Sequence, residues 1–554
     1  MPIRVFSAAV VLGLSLTVAA SGAAAATGAA VVPAATTASV ATEVAIIAPL
    51  TVPAGNGGLI GAEALAGYTE PQGLLTRQLD ALAGTPLTVA IDPMILVSIR
   101  VLGTSAPESA RNWLEQLSLL PNEIVPLPYA NSDVTLATQA GQASTLAPTS
   151  FDFALDPANF AALTEPDSSA TTESMDVGAD VVPSYPTTEE LLAWDYTIDG
   201  FVYPRADSVI ASDLVAFSDS GFSTVVLSST NVSRADGAGS ASTVEGMTAL
   251  LSDSASSAAM DAALGSTIDR DVTAAEAALA AAVLAAGTSQ SAATGSVLIT
   301  IDHSLELSSA RLDTAIASLT SQPSITLVPL TSLASQSASA ASVVDMPQDE
   351  MRIGDVGRML TAADQERSFF SIAVDPEALV AQRRLALLDV LGTTPTDDPA
   401  DWLAATSDFL ADSRELRGAV KVVESSNFLL LADNSFLPIS VSNDLSQAVT
   451  VYISVRPRTG LLAVGDSRVE LQIEANSQAK GDIPVQSLSN GVVDVEISLS
   501  SSTGMAIGAG TVTEINVQAG WETPVVLAFA ALVVLIFSVG FVRSIVRRRK
   551  PLDE

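Results

Sequence analysis

Residues 524–542 carry no charge, and Arg543, Arg547, Arg548, Arg549 and Lys550 follow at once. An uncharged apolar run of this length nearly matches the ~20 residues needed to cross a bilayer core. Basic residues stay on the cytoplasmic side, so the pattern predicts a transmembrane helix with an inward C-terminal tail (543–554) and the bulk of the chain outside. Trp521 stands where the outer interface would lie. The alternative, a buried core helix, does not account for the RRRK end.

The other terminus agrees with export. Arg4 precedes an apolar run over residues 5–20, and Ala24, Ala25 and Ala26 precede Thr27. That order predicts a signal peptide (1–26) cut at an A-x-A site; the alternative is an uncleaved anchor. Setting aside Arg4, the five basic residues after the apolar run, and Asp553 and Glu554, 19 basic and 59 acidic residues remain, net −40. So negative a surface argues against nucleic acid as a partner and for a soluble exported portion. Cys is absent, which excludes a disulfide scaffold, a Cys-ligated zinc site and a Cys nucleophile. Lys is confined to Lys421, Lys480 and Lys550, and Ala is abundant; this reads as a high-GC coding bias.

A flexible linker (27–42) leads into alternating strands and helices. Strands are predicted over 86–91, 124–127, 223–227, 296–301 and 325–330. Helices are predicted from the Ser105–Pro107 start to Leu119, after Asn131 or Ser132, over 207–219, from the Thr273–Glu276 capping box to Gly287, and over 305–319. Short apolar strands separated by helices imply a mostly parallel sheet covered on both faces, either a β/α barrel or an open doubly wound sheet (43–350). Acidic or Ser-rich inserts interrupt it near 164–180 and 331–345. Residues 351–418 read as a helical subdomain. From about residue 419 to 518 the period becomes two: Val451, Ile453 and Val455; Val469, Leu471 and Ile473; Val493, Val495, Ile497 and Leu499. That predicts a membrane-proximal Ig-like β-sandwich acting as a stalk. The expected fold is therefore multidomain: α/β plus all-β, with a C-terminal transmembrane helix (524–542).

The phrases VAIDP (89–93), FALDP (153–157) and IAVDP (372–376) each end an apolar run in Asp-Pro, and LITIDH (298–303) is related. An Asp at the carboxyl end of a parallel strand faces the rim where barrel enzymes work. Asp92 with Asp302 or Asp199 is thus a candidate carboxylate pair for glycoside hydrolysis. The competing reading is helix capping, since Asp accepts from the first helical amides and Pro suits the first helical position; Asp375 falls within a helical stretch, which weakens the repeat. His303 is the only histidine. No G-x-S-x-G elbow accompanies it for a triad, and no second His for a hydrolytic metal site. Trp194, Asp199, Tyr203 and Arg205, with Tyr129, Asn131 and Asp133, have the residue types of a sugar-binding rim; loop packing and capping is the alternative. No phosphate loop, G-x-G-x-x-G or haem motif is present, so neither cofactor nor metal is expected.

DPMIL, WLEQL, LPYANSDVTLATQAG, TIDG, STVVLSS and the terminal ISVSNDLSQAVTVYISVRP…W…RRRK resemble an actinobacterial family of secreted, membrane-anchored proteins of unknown function, often encoded beside the lipid II flippase of peptidoglycan synthesis. The resemblance covers residues 49–550. The N-terminal part also resembles, remotely, the barrel shared by glycoside hydrolases and polysaccharide deacetylases, without the deacetylases' Asp-His-His metal set. No catalytic residue carries over from such a family. The expected function is a non-catalytic module of the cell envelope that binds glycan or a protein partner, the flippase included. The alternatives are a carbohydrate hydrolase, or a flippase regulator acting through its membrane segment.

Overall fold

The computed structural model describes residues 41–160, 185–266, 268–292, 294–305, 307–392, 399–423, 428–430, 434–517 and 522–548. The expected signal peptide, nearly all of the linker, the insert at 164–180, Trp521 and residues 549–554 lie outside them. Eleven strands form one mixed sheet: β1 (Ala41–Leu50), β2 (Thr88–Ile91), β3 (Ile124–Pro126), β4 (Phe201–Val202), β5 (Thr224–Ser228), β6 (Val232–Arg234), β7 (Ala241–Val244), β8 (Met247–Ser252), β9 (Thr294–Thr300), β10 (Ile325–Leu327) and β11 (Ser339–Val343).

Its frame is parallel, in the order β3-β2-β1-β9-β8-β5-β4; β10 adds to the start of β1, also in parallel. These strands read as unbroken apolar runs because both faces are covered. Val44, Ile46, Ala48 and Leu50 of β1 pack into one buried cluster with the surrounding helices. Ala45 and Ile47 point the other way and share a second cluster with Ala90, Val125, Phe201, Val226, Leu250 and Leu298, one from each remaining strand of the frame. The two ends of the frame also touch: Thr197, upstream of β4, donates from its amide to Ile124 O (2.8 Å), and its hydroxyl accepts from Ile124 N (3.0 Å).

Of the strands that were not expected, β1, β4 and β8 belong to the frame, and β6, β7 and β11 lie beside it. β7 pairs antiparallel with β8 and parallel with β11, which pairs antiparallel with β6. Their Ser, Ala and Thr residues form no apolar period, and neighbouring strands hold them. The helix starts also move, two of them to Ala211 and Ser309. Pro107, with no amide hydrogen, stands outside the helix Glu108–Ser118, and Ser105 lies in a preceding 3-10 turn. Asp133, rather than Asn131 or Ser132, caps Val134–Gln139. The Ala-rich helix begins at Asp269, ahead of the Thr273 box.

Three helices follow: Glu350–Phe370, Pro376–Leu391 and Pro399–Arg417, with Val356, Met359, Leu387, Trp402 and Phe409 in a shared core. Between the first two, Val374 N donates to Ala448 O (3.0 Å) and Ile372 O accepts from Thr450 N (2.8 Å). Residues 448–450 belong to the C-terminal β region. There a four-stranded and a five-stranded sheet, mostly antiparallel, share one core that also takes in Phe369, Phe370 and Leu379. Val493, Val495, Ile497 and Leu499 are buried in alternation with their polar neighbours, as period two requires.

The last helix is Glu522–Arg548. Its segment Val525–Ile545, 21 residues long, contains a stretch with a mean hydropathy of 3.0 and is long and apolar enough to cross a membrane. Arg270–Thr288 also meets that criterion, but Leu279 and Val283 bury it against the α/β core.

Candidate functional site

The carboxyl ends of the parallel strands carry two adjoining cavities with His303 in the wall of both. This is where open and closed parallel sheets place ligands. Local sequence explains how each wall is fixed. After β2, Asp92 caps the helix Pro93–Val101, its Oδ1 accepting from Met94 N (2.9 Å), with Pro93 at the first helical position. The same oxygen accepts from Ala130 N (2.9 Å). Ala130 and Asn131, just beyond β3, both have left-handed backbones (φ 56° and 47°), a cost for Ala in particular. Two residues hold that turn: Asp92 from one side, and Arg205, whose Nη2 donates to Asn131 O (3.2 Å) and Gly392 O (2.9 Å), from the other.

The turn presents the Asn131 side chain to His303: His303 Nδ1 lies 2.8 Å from Asn131 Oδ1. The amide oxygen is an acceptor, so Nδ1 carries the hydrogen and Nε2 keeps its lone pair. The ring lies edge-on to Tyr203, with centroids 4.4 Å apart. Burial, helped by Arg205, pushes the His303 pKa down to about 3, so the ring is neutral. Burial pushes Asp92 up to about 7. Asp133 is buried; it accepts from Thr135 N (3.0 Å) and Gln348 Nε2 (2.6 Å) and lies 3.8 Å from Arg205 Nε.

The first cavity, of about 370 Å³, is lined by Thr51, Gln78, Asn131, His303 and Ser304 among others. The second, of about 270 Å³, is walled by Tyr203, Arg205, Asp261 and Asp302 and by the strand-end hydroxyls of Ser228, Ser252 and Thr300. Asp302 stands at its mouth, and Ser304 donates to it from its amide (2.8 Å) and its hydroxyl (2.5 Å). These bonds outweigh the desolvation that raises it and hold its pKa below the ordinary value. Asp302 N donates to Asp261 Oδ1 (3.0 Å). Burial, then the Asp302 charge, pushes Asp261 up to about 6.

The structure thus gathers Asn131, Asp133, Tyr203, Arg205 and Asp302, with Asp92 behind them. Tyr129 supports the rim from within, its hydroxyl donating to Gly58 O (2.6 Å). Trp194 and Asp199 stand apart. Thr197 meets the first residue of β3 and Gly200 accepts from Ser223 and Thr224 at the start of β5, so 194–199 lies at the opposite end of the strands from Tyr203 and Arg205. Trp194 takes the Arg100 guanidinium over its ring (5.6 Å), and Asp199 is exposed. The run WDYTIDGFVYPR passes through the two-residue strand β4, and that crossing splits it. The Asp-Pro phrases share one local role: Asp156 accepts from Ala158 N (2.9 Å), Asp375 from Ala378 N (3.2 Å), and Asp302 repeats the pattern with Ser304.

Asp261 and Gln78 were missed. Ser254, Ser257 and Asp261 share a helix face at spacings of three and four, the one signal that could have found Asp261. Among the described residues no group of three or more His, Asp or Glu is placed to hold a metal ion.

A profile described as "Family of unknown function (DUF6049)" matches residues 9–553. The chain belongs to this family. No curated protein matches the DUF6049 chain in sequence. Among solved structures, the alpha-amylase AmyC of Thermotoga maritima is similar at 10% identity and a TM-score of 0.39, over 68% of this chain and 93% of its own. E. coli alpha-2-macroglobulin is similar at 16% identity and a TM-score of 0.15, over 18% of this chain, which spans 7% of its length. The C. elegans MSP family member WR4 is similar at 10% identity and a TM-score of 0.15, over 18% of this chain and 99% of its own.

Proposed function

We propose that this chain is an exported, single-pass membrane protein of the cell envelope, and that it binds glycan or an envelope partner without turning it over. In this reading the parallel frame is a nearly closed barrel, the C-terminal sheets are an Ig-like stalk, and the last helix is the membrane anchor with its basic end inside. The inward cluster drawn from every strand of the frame, and the Thr197–Ile124 bonds between its ends, support the barrel. The basic cluster after the apolar helix and the acidic remainder support the topology.

One observation carries the binding role: the cavities lie at the strand ends, and of the three expected carboxylates only Asp302 lines them. Asp92 is fully buried and binds two backbone amides, and Asp199 is at the far end. The envelope glycan, or the flippase that supplies its precursor, is the partner the family resemblance suggests first.

A second reading keeps a hydrolase, with Asp261 in place of Asp92. Two neighbouring carboxyls whose pKa values are pushed apart is the arrangement an acid and a base require. The full chain in detergent micelles should co-sediment with purified peptidoglycan and release no soluble fragments. Release of reducing ends that stops in Asp261→Asn would install the hydrolase instead. Failure to pellet, together with no crosslinked envelope partner in cells, would end the binding reading.

A further inference from the structure

Two residues that line the first cavity each carry a buried polar atom with no partner among the described residues: Gln78 Oε1 and His303 Nε2. Gln78 is 3% exposed and His303 7%. A buried acceptor left unmatched costs more than a surface one, and both residues line the same space. Each is an acceptor, Gln78 through its amide oxygen and His303 through the lone pair left when Nδ1 points its hydrogen at Asn131. An occupant must therefore bring donors.

The lining also settles charge. In a chain of net −36, no side chain lining this cavity is ionised among the described residues: Thr51, Gln78, Asn131, neutral His303 and Ser304 supply its polar atoms. Arg205, Asp207, Asp261 and Asp302 all belong to the neighbouring cavity. Among the described lining residues a carboxylate would meet no cation and an ammonium no carboxylate. Val52, Pro53, Leu74 and Leu305 complete the wall and offer an apolar surface. At about 370 Å³ the space falls within the ~300–1,000 Å³ of small-ligand pockets.

We infer that the cavity between Gln78 and His303 is a subsite for one uncharged, hydroxyl-bearing sugar ring, its hydroxyls donating to Gln78 Oε1 and His303 Nε2 and its C–H face lying on the apolar wall. This rests on the glycan-binding reading above and gives that reading a ring, a charge and two contacts.

The test uses the full chain in detergent micelles and three monosaccharides that share a ring and differ in charge: glucose, glucosamine and glucuronate, followed by ligand-observed NMR and calorimetry. Glucose should bind, and the two charged rings at least tenfold more weakly. Gln78→Leu, close in shape and lacking the acceptor, should weaken glucose about tenfold while its thermal midpoint stays level or rises, because an unmatched buried group is gone. A purely structural Gln78 would lower the midpoint and leave affinity alone. Ala54→Trp, on the exposed lip of the same cavity, gives an independent block that needs no change in the interior. Charged rings binding as well as glucose, or glucose binding untouched by both variants, overturns the inference. Peptidoglycan pelleting is measured alongside: if it persists while the subsite test fails, only the subsite is wrong, and if wild type never pellets, the glycan reading itself falls.

Discussion

The two β regions bury polar groups on opposite terms. The C-terminal sheets hide only Ser and Asn side chains, among them Ser442, Asn443, Ser487 and Ser501, and no acid, base or histidine among the described residues. The parallel frame and its helices bury Asp92, Asp133, Asp213, His303 and Asp389. Burying ionisable groups costs stability unless each is matched. The C-terminal region keeps the features of a part selected to stay folded. The parallel region carries the expense, with His303 in the shared wall of its two cavities and Asp92 and Asp133 behind it. Polar burial separates support from site here more sharply than strand content does.

Three substitutions can break that contrast. The largest effect belongs to the C-terminal core: Ile497→Ala, at 2% exposure, should cost about 2–5 kcal/mol in urea unfolding and leave the pH dependence of stability unchanged. A changed pH slope would show that the two regions are not separable in this way. Next comes Asp92→Asn. Asp92 is lifted from 3.8 to about 7 in the folded chain, so between those values the folded state holds a proton that the unfolded state has released. Its contribution is fully present below pH ~4 and is lost as pH rises through ~7. The variant should therefore gain on the wild type by on the order of 2–4 kcal/mol between pH 4 and pH 7. A constant difference across that range would mean Asp92 is not the buried acid described. His303, held near 3, contributes with the opposite sign, its stabilisation growing from about pH 3 to 6.5. The smallest effect is expected at Asp199→Asn, exposed at the far strand ends, within about 0.5 kcal/mol and with no change in glycan pelleting. A loss of pelleting there would move the site to the other end of the frame.

Period two made the C-terminal strands readable: Val493 to Leu499 alternate in sequence and in burial alike. Among the parallel strands β2, β3, β5, β9 and β10 were readable as apolar runs, and several helices by caps and glycines. What the sequence withheld was anything set by distant pairing. β7 and β11 are Ser/Ala/Thr segments that become strands because β8 and β6 offer edges. The candidate site was half legible. Tyr203, Arg205, Asn131 and Asp302 sit just past strand ends, where residue type and position agree. Gln78 carries no local mark; a buried Gln on an amphipathic helix reads as surface until the neighbouring loop covers it. Trp194 and Asp199 misled for the converse reason: nearness in sequence hid a strand so short that ten residues span both ends of it.

The loop after β1 follows the helical segment rather than the strand it leaves. The Asp389 carboxylate, on the helix Pro376–Leu391, accepts from Gly55, Asn56 and Gly57 amides at 3.0–3.2 Å. Gly58, at φ 82°, passes so close to Leu385 that a Cβ would sit 2.5 Å from its carbonyl oxygen. The residues leading into that helix are stitched to the C-terminal sheets through Ile372 and Val374. The C-terminal sheets accordingly have a hydrogen-bonded route to the loop that carries Pro53 and Ala54 at the lip of the first cavity.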